Sequence, residues 1–177
     1  MKDFEVLFAG FGGQGILFSG KVIAYAGLIE DREVSWLPSY GPEMRGGTAN
    51  CSVCLSSDPI ASPLITSPEI LVAMNLPSYE KFIDSVKPGA KVFIDSSLIQ
   101  RDGEGRDIEL FAIPATSYAA EKGLSGLANM IMVGKLLKET SFASYASVEA
   151  AVKKCVSAKR QALVEKNIEA IRLGYEM

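Results

Sequence analysis

Short apolar runs closed by glycine, proline or asparagine alternate along this chain with longer stretches of helical spacing. Phe4 to Ala9 is such a run, stops at glycine, and reads as a buried strand. Ile16 to Leu28 follows with apolar residues at Ile16, Phe18, Val22, Ile23, Ala26 and Leu28 and no proline, the pattern of a helix packed on a sheet. Glu33 to Leu37 predicts a second strand, stopped by Pro38, and Thr48 to Ser56 a third. The connection between them is about ten residues with no helical pattern, too short for a parallel crossover, so these two strands are expected to be antiparallel neighbours. Strands over Ile70–Met74, Lys91–Asp95 and Ile108–Ile113 bring the sheet to about six. Helices are expected over Tyr79–Val86 with Pro77 in the first turn, over a short piece opened by Pro114, and over Leu127–Leu137, Val148–Val156 and Ala162–Leu173. Ser96 to Asp107 is polar, holds two glycines, and reads as a surface loop. Strands alternating with helices predict an α/β fold with three layers, α/β/α, and a mixed sheet. No repeat or linker interrupts residues 1–177, which are read as one domain.

Composition narrows the chemistry. The 177 residues are 48% hydrophobic and 22% charged, ordinary for a globular chain that buries roughly 70% of its unfolded surface. The net charge is −3, so nothing favours nucleic acid or an anionic membrane surface. The apolar runs are too short or too interrupted to span a bilayer. Met1-Lys2-Asp3 leads straight into a strand with no cleavable signal pattern, so the expected location is cytoplasmic. There is no histidine, which removes Ser-His and Cys-His nucleophile pairs and His-ligated zinc. Three cysteines are too few for a four-thiolate cluster. Cys51 and Cys54 fall in a strand at an odd separation, which points them to opposite faces as packing residues.

Two constellations carry candidate chemistry. Gly10-x-Gly12-x-x-Gly15 sits between a strand and a helix, where glycines allow a tight turn and the helix start favours a phosphate or carboxylate. A dinucleotide site would add an acid at the end of the second strand. That end reads Ser35-Trp36-Leu37-Pro38, so NAD is disfavoured. Gln14 adds an amide that both donates and accepts. The second constellation, Ser39 to Thr48, gathers Tyr40, Glu43, Arg45, Gly46 and Gly47, and Arg45 has the fork geometry for a carboxylate or phosphate. It shares a sheet edge with the first turn only if the second strand runs parallel to the first. Asn75, between a strand and a helix start, is expected to cap that helix, with ligand contact at the sheet's carboxyl edge as the alternative.

Phe8 to Gly15, Pro38 to Cys51, Pro59-Ile60-Ala61-Ser62-Pro63, Ala73-Met74-Asn75 and Ala128-Asn129-Met130 together resemble the gamma subunits of 2-oxoacid:ferredoxin oxidoreductases. The Arg-Gly-Gly-Thr form with Ser-Pro downstream is closer to the 2-oxoglutarate and branched-chain members than to the pyruvate branch. The resemblance implies a Rossmann-like gamma domain and membership of a complex with alpha, beta and delta subunits. Such a complex decarboxylates a 2-oxoacid oxidatively, forms an acyl-CoA and reduces ferredoxin. Thiamine diphosphate, magnesium and iron–sulfur clusters would be held by the other subunits, with coenzyme A as co-substrate and none of these bound by this chain alone. With that subunit role, the amide and guanidinium chemistry of the two loops makes Gly10, Gly12, Gly13, Gln14, Gly15, Glu43, Arg45, Gly46, Gly47 and Asn75 the expected coenzyme A-side or interface contacts; none is expected to be catalytic and none to bind a metal. Alternatives are the beta subunit of an indolepyruvate:ferredoxin oxidoreductase, which shares this domain, and a free-standing nucleotide-binding protein.

Overall fold

The computed structural model describes residues 3–39, 48–157 and 160–177. In chain order these form β1 (Phe4–Phe11), α1 (Ile16–Ile29), β2 (Glu33–Ser39), β3 (Thr48–Ser56), β4 (Ile70–Ala73), α2 (Leu76–Phe82), β5 (Ala90–Asp95), β6 (Ile108–Ile113), α3 (Ala115–Glu121), α4 (Ala128–Thr140), α5 (Tyr145–Cys155) and α6 (Gln161–Glu176). Each expected element forms, and the differences lie at the ends. β2 runs through Pro38 to Ser39, with Pro38 in register with Cys51. An edge strand tolerates proline because its outer side needs no N–H donor. α2 ends at Phe82, and a 3₁₀ turn over Ile83–Ser85 takes the place of the last expected turn.

The six strands lie in the order β2-β3-β1-β4-β5-β6. β3 is antiparallel to β2 and to β1, while β4, β5 and β6 continue parallel to β1. Two antiparallel steps restore direction, so β2 runs the same way as β1. The segment leaving β2 therefore starts at the sheet edge where the glycine turn leaves β1, which meets the condition set by the sequence.

The two faces of the sheet are covered unequally. On one, Val6, Phe8, Val53, Leu55, Val72 and Phe93 pack against the helices of the amino-terminal and carboxyl-terminal parts of the chain, α1 and α3 to α6. On the other, Leu7, Leu71, Val92 and Ile94 meet Tyr79 of α2, Ile83, and Ile99 from the polar loop after β5. Ile99 is the apolar anchor that holds this loop down. The last two helices pack on the body. α5 lies along α1, and α6 crosses α4 where Gly134 faces Ile171 and Gly174 faces Ile131. A Cβ on either glycine would strike the carbonyl of the opposing helix, so the crossing is backbone against backbone.

Gly134→Ala should therefore cost about 2–3 kcal/mol or more by forcing these helices apart. Urea unfolding is the measurement, and an unchanged midpoint would show that the crossing yields freely.

Candidate functional site

The chain leaves β1 into α1 on the heavily covered face and leaves β4 into α2 on the other. β1 and β4 are adjacent and parallel, so a crevice opens between their carboxyl ends where the connections diverge. Ligands of open α/β sheets bind at such points. Phe11 to Gly15 lie on one side of this crevice and Met74 and Asn75 on the other.

Gln14 joins the two sides. Its Oε1 accepts from the Phe11 backbone N–H at 2.7 Å and from Asn75 Nδ2 at 3.0 Å, and its Nε2 donates to the Met74 carbonyl at 3.0 Å. Asn75, 2% exposed, also caps α2, its Oδ1 accepting from Ser78 N–H at 2.9 Å. The expected cap is thus present, and the same side chain holds the turn. Gly10 is fitted to this arrangement, since a Cβ there would lie 2.8 Å from Gln14 Oε1. Gln14 uses its amide within the fold, which leaves the backbone of Gly12 and Gly13 as the exposed part of the turn.

Gly15 ends the turn in the left-handed region at φ 74° and begins α1. Its carbonyl accepts from Ser19 N–H at 3.0 Å, Ser19 Oγ at 3.1 Å and Asn129 Nδ2 at 3.1 Å. Asn129 also donates to Ser19 Oγ, and a side chain at Gly15 would collide with its amide. No side chain caps α1 and no acid lies in its first turn. The N–H groups at this helix start and its positive dipole end therefore suit an anion.

Two buried polar groups at this edge lie outside the candidate site residues read from the sequence. Asn129 falls within the expected helix Leu127–Leu137, and the signal for its role is one amide inside an apolar helical face. Asp95, fully buried at the end of β5, accepts from Thr116 Oγ1 at 2.5 Å and from Ser97 N–H at 3.1 Å, fastening the start of α3. Glu43, Arg45, Gly46 and Gly47 lie outside the described residues. Ser39 and Thr48, which flank that segment, stand at the edge of the glycine turn, with Thr48 in register with Phe11.

The cysteines face apart as their spacing requires. Cys51 packs beside Gly20 and donates to the Ile16 carbonyl, and burial pushes its thiol up to about 12. Burial and then the charge of Glu5 raise Cys54 to about 11, and burial raises Cys155 to about 11. Neutral thiols are poor nucleophiles and poor metal ligands. Among the described residues no three His, Cys, Asp or Glu side chains gather to hold a metal ion. No helix among them is long and apolar enough to cross a membrane.

A family model described as pyruvate ferredoxin/flavodoxin oxidoreductase matches residues 5–177. The 2-oxoglutarate synthase subunit KorC of Methanocaldococcus jannaschii is 36% identical over 176 residues, covering 98% of this chain and 92% of that protein. The ketoisovalerate oxidoreductase subunit VorA of Methanothermobacter thermautotrophicus is 38% identical over 135 residues, 76% of this chain but only 28% of that protein's length. Among solved structures, the gamma subunit of a keto/oxoacid ferredoxin oxidoreductase from Geobacter sulfurreducens superposes with a TM-score of 0.83 at 27% identity, covering 98% of this chain and 96% of that one. A 2-oxoglutarate:ferredoxin oxidoreductase from Magnetococcus marinus, solved with 2-oxoglutarate, coenzyme A and succinyl-CoA bound, gives 0.89 at 26% identity, covering 99% of this chain and 31% of that one.

Asn75→Ser keeps an acceptor for α2 and removes the donor to Gln14; Gln14→Ala removes all three bonds of that side chain. Amide exchange at Phe11 should rise about tenfold in the first and further in the second, each lost bond being worth about 1 kcal/mol. Exchange equal to wild type would mean that the turn holds its shape unaided. The thiols give a separate check. At pH 8 iodoacetamide should leave Cys51 and Cys54 unmodified in the folded chain and label both in urea. Because the unfolded thiols ionise near 9.0 and the folded ones about two to three units higher, stability should fall as pH rises through that interval.

Proposed function

The chain belongs to the pyruvate ferredoxin/flavodoxin oxidoreductase family, and from that membership we propose that it is the gamma subunit of a 2-oxoacid:ferredoxin oxidoreductase. The complex would decarboxylate a 2-oxoacid of the 2-oxoglutarate or branched-chain class, transfer the acyl group to coenzyme A and pass the electrons to ferredoxin. The overlap with KorC supports the 2-oxoglutarate option, and the overlap with part of VorA supports the branched-chain option equally. Residues 1–177 would act as one domain, alongside alpha, beta and delta subunits in the cytoplasm.

In this reading the chain contributes surface, not bond-making groups. It has no histidine, and its thiols stay protonated at neutral pH, Cys51 and Cys54 on opposite faces of β3 and Cys155 at the end of α5. Those residues do not fit an iron–sulfur cluster, and no magnesium-type cluster of acids gathers among the described residues. In keeping with what the family resemblance implies, thiamine diphosphate, magnesium and the clusters are assigned to the other subunits, and no step is routed through this chain's side chains.

One observation carries the coenzyme A side of the proposal. The turn at the β1/β4 crevice is braced from behind by Gln14 and Asn75, and it opens onto an uncapped, acid-free helix start. Amides held in place this way favour a phosphate without reorganising. Gly10, Gly12, Gly13 and Gly15 would shape that surface, Gln14 and Asn75 would hold it, and Arg45, with Glu43, Gly46 and Gly47, would face coenzyme A or tie the subunit interface.

The native chain should co-elute with a partner that contains thiamine diphosphate and iron–sulfur clusters. A clean monomer that binds nucleotide would support the free-standing alternative instead. In the assembled enzyme Arg45→Ala should raise the coenzyme A KM about tenfold or more, or else weaken assembly on gel filtration. An unchanged KM together with intact assembly would sink the assignment of this loop.

A further inference from the structure

On the lightly covered face of the sheet, α2 and the 3₁₀ turn Ile83–Ser85 lie beside the loop 96–107. α2 has seven residues, fewer than the roughly 12 a helix needs to persist by itself. Its apolar hold is the packing of Tyr79 and Ile83 with Ile99 of the loop. The loop adds a charged hold. Arg101 Nη2 donates to Glu80 Oε1 of α2 at 2.9 Å, and Arg106 Nη2 donates to Asp84 Oδ1 of the 3₁₀ turn at 2.9 Å. Glu104 joins the two arginines, one oxygen 3.1 Å from Arg101 Nε and the other 2.8 Å from Arg106 Nη1. Glu80, Arg101, Glu104, Arg106 and Asp84 thus form one linked series. A single exposed pair such as Lys87 with Glu69 contributes little, whereas here each arginine is fixed at two points.

The backbone of the loop is shaped around that series. Gly103, Glu104 and Gly105 take φ values of 89°, 54° and 74°. Glycine adopts such angles freely and glutamate does not, so Glu104 is a strained residue that only its surroundings can hold. Asp102 Oδ1 accepts from the Glu104 N–H at 2.9 Å, and the Glu104 carboxylate lies between the two guanidinium groups. Beneath them Tyr79 is 1% exposed. Burial and then the charge of Glu104 raise the pKa of its hydroxyl, with Arg106 and Arg101 opposing. The same helix turn carries the link to the candidate site. α2 begins at Asn75, whose Nδ2 donates to Gln14 Oε1, and that oxygen closes the glycine turn on the Phe11 N–H.

From this linkage we infer that Arg101 and Arg106 are positioning residues for the glycine turn: gripping Glu80 and Asp84, they hold α2 in place and so keep Asn75 against Gln14. The grip is partly exposed and electrostatic, so added salt loosens it. That the turn so held faces coenzyme A rests on the function proposed above. The clamp itself does not, and the two are tested separately.

Amide exchange on the full chain tests the clamp. With Arg101→Ala and Arg106→Ala combined, exchange at Ser78 and at Phe11 should rise about fivefold, as two weak exposed pairs lost together allow. Ser147, at the start of α5, should not change. In a Gln14→Ala background the same two substitutions should still speed Ser78 and leave Phe11 where Gln14→Ala alone puts it, because the coupling passes through that side chain. Wild type needs no substitution for a parallel check: about 1 M potassium chloride should speed Phe11 exchange, and the double variant should respond far less. In the assembled enzyme the double variant should raise the coenzyme A KM about fivefold with kcat unchanged. The inference is overturned if Ser78 is unaffected, if Ser78 responds without Phe11, or if Phe11 responds equally in the Gln14→Ala background. Exchange that follows the expectation beside an unchanged KM would uphold the clamp and count against the coenzyme A reading alone.

Discussion

The amide of Gln14 is the contact on which the rest of this edge depends. It closes the turn locally through the Phe11 N–H and bridges the crevice to Met74 and Asn75. A glycine-rich segment has more backbone freedom to lose than any other, so it keeps one shape only where something pins it. Here the pin is a side chain inside the turn itself, and its partner caps α2. The turn, the end of β4 and the start of α2 are therefore one mechanical unit, set between the two strands whose connections leave on opposite faces.

The second constraint is the close packing of helices on one face. α4 and α6 approach through Gly134 and Gly174 until their backbones touch, and α1 lies on β3 where Gly20 and Gly27 face Cys51 and Leu55. Close approach brings the ends of four helices together near the turn. It also places Asn129 of α4 within reach of the Gly15 carbonyl. One network thus ties the turn to the sheet through Gln14, and another ties it to the helical layer through Asn129. The exposed backbone of Gly12 and Gly13 is carried on a support fixed from both sides.

This arrangement suits a chain whose contribution is shaped surface. Its thiols are held neutral by burial, Cys51 and Cys54 on opposite faces of β3 and Cys155 on α5, and its buried carboxylate Asp95 is committed to the start of α3. Among the described residues, the exposed backbone of Gly12 and Gly13 and the uncapped start of α1 face outward at this carboxyl edge. Groups of that kind can hold an anion without exchanging protons or electrons with it.

Local pattern in the amino-acid sequence determined the six strands, the six helices, the antiparallel pairing of β2 with β3 and the opposite facing of Cys51 and Cys54. Each of these follows from spacing within a few residues, or from a connection too short for a crossover. It also marked the glycine turn and Asn75 as the residues to watch. Only the tertiary structure decided what Gln14 does, because its partners Met74 and Asn75 lie 60 and 61 residues away. The same holds for Asn129, which reaches Gly15 across 114 residues, and for the crossing of Gly134 with Gly174. Spacing reports which face of an element is apolar; it carries no record of which distant backbone will lie against a given amide. That is settled when the sheet order brings β1 beside β4 and the helices close over it.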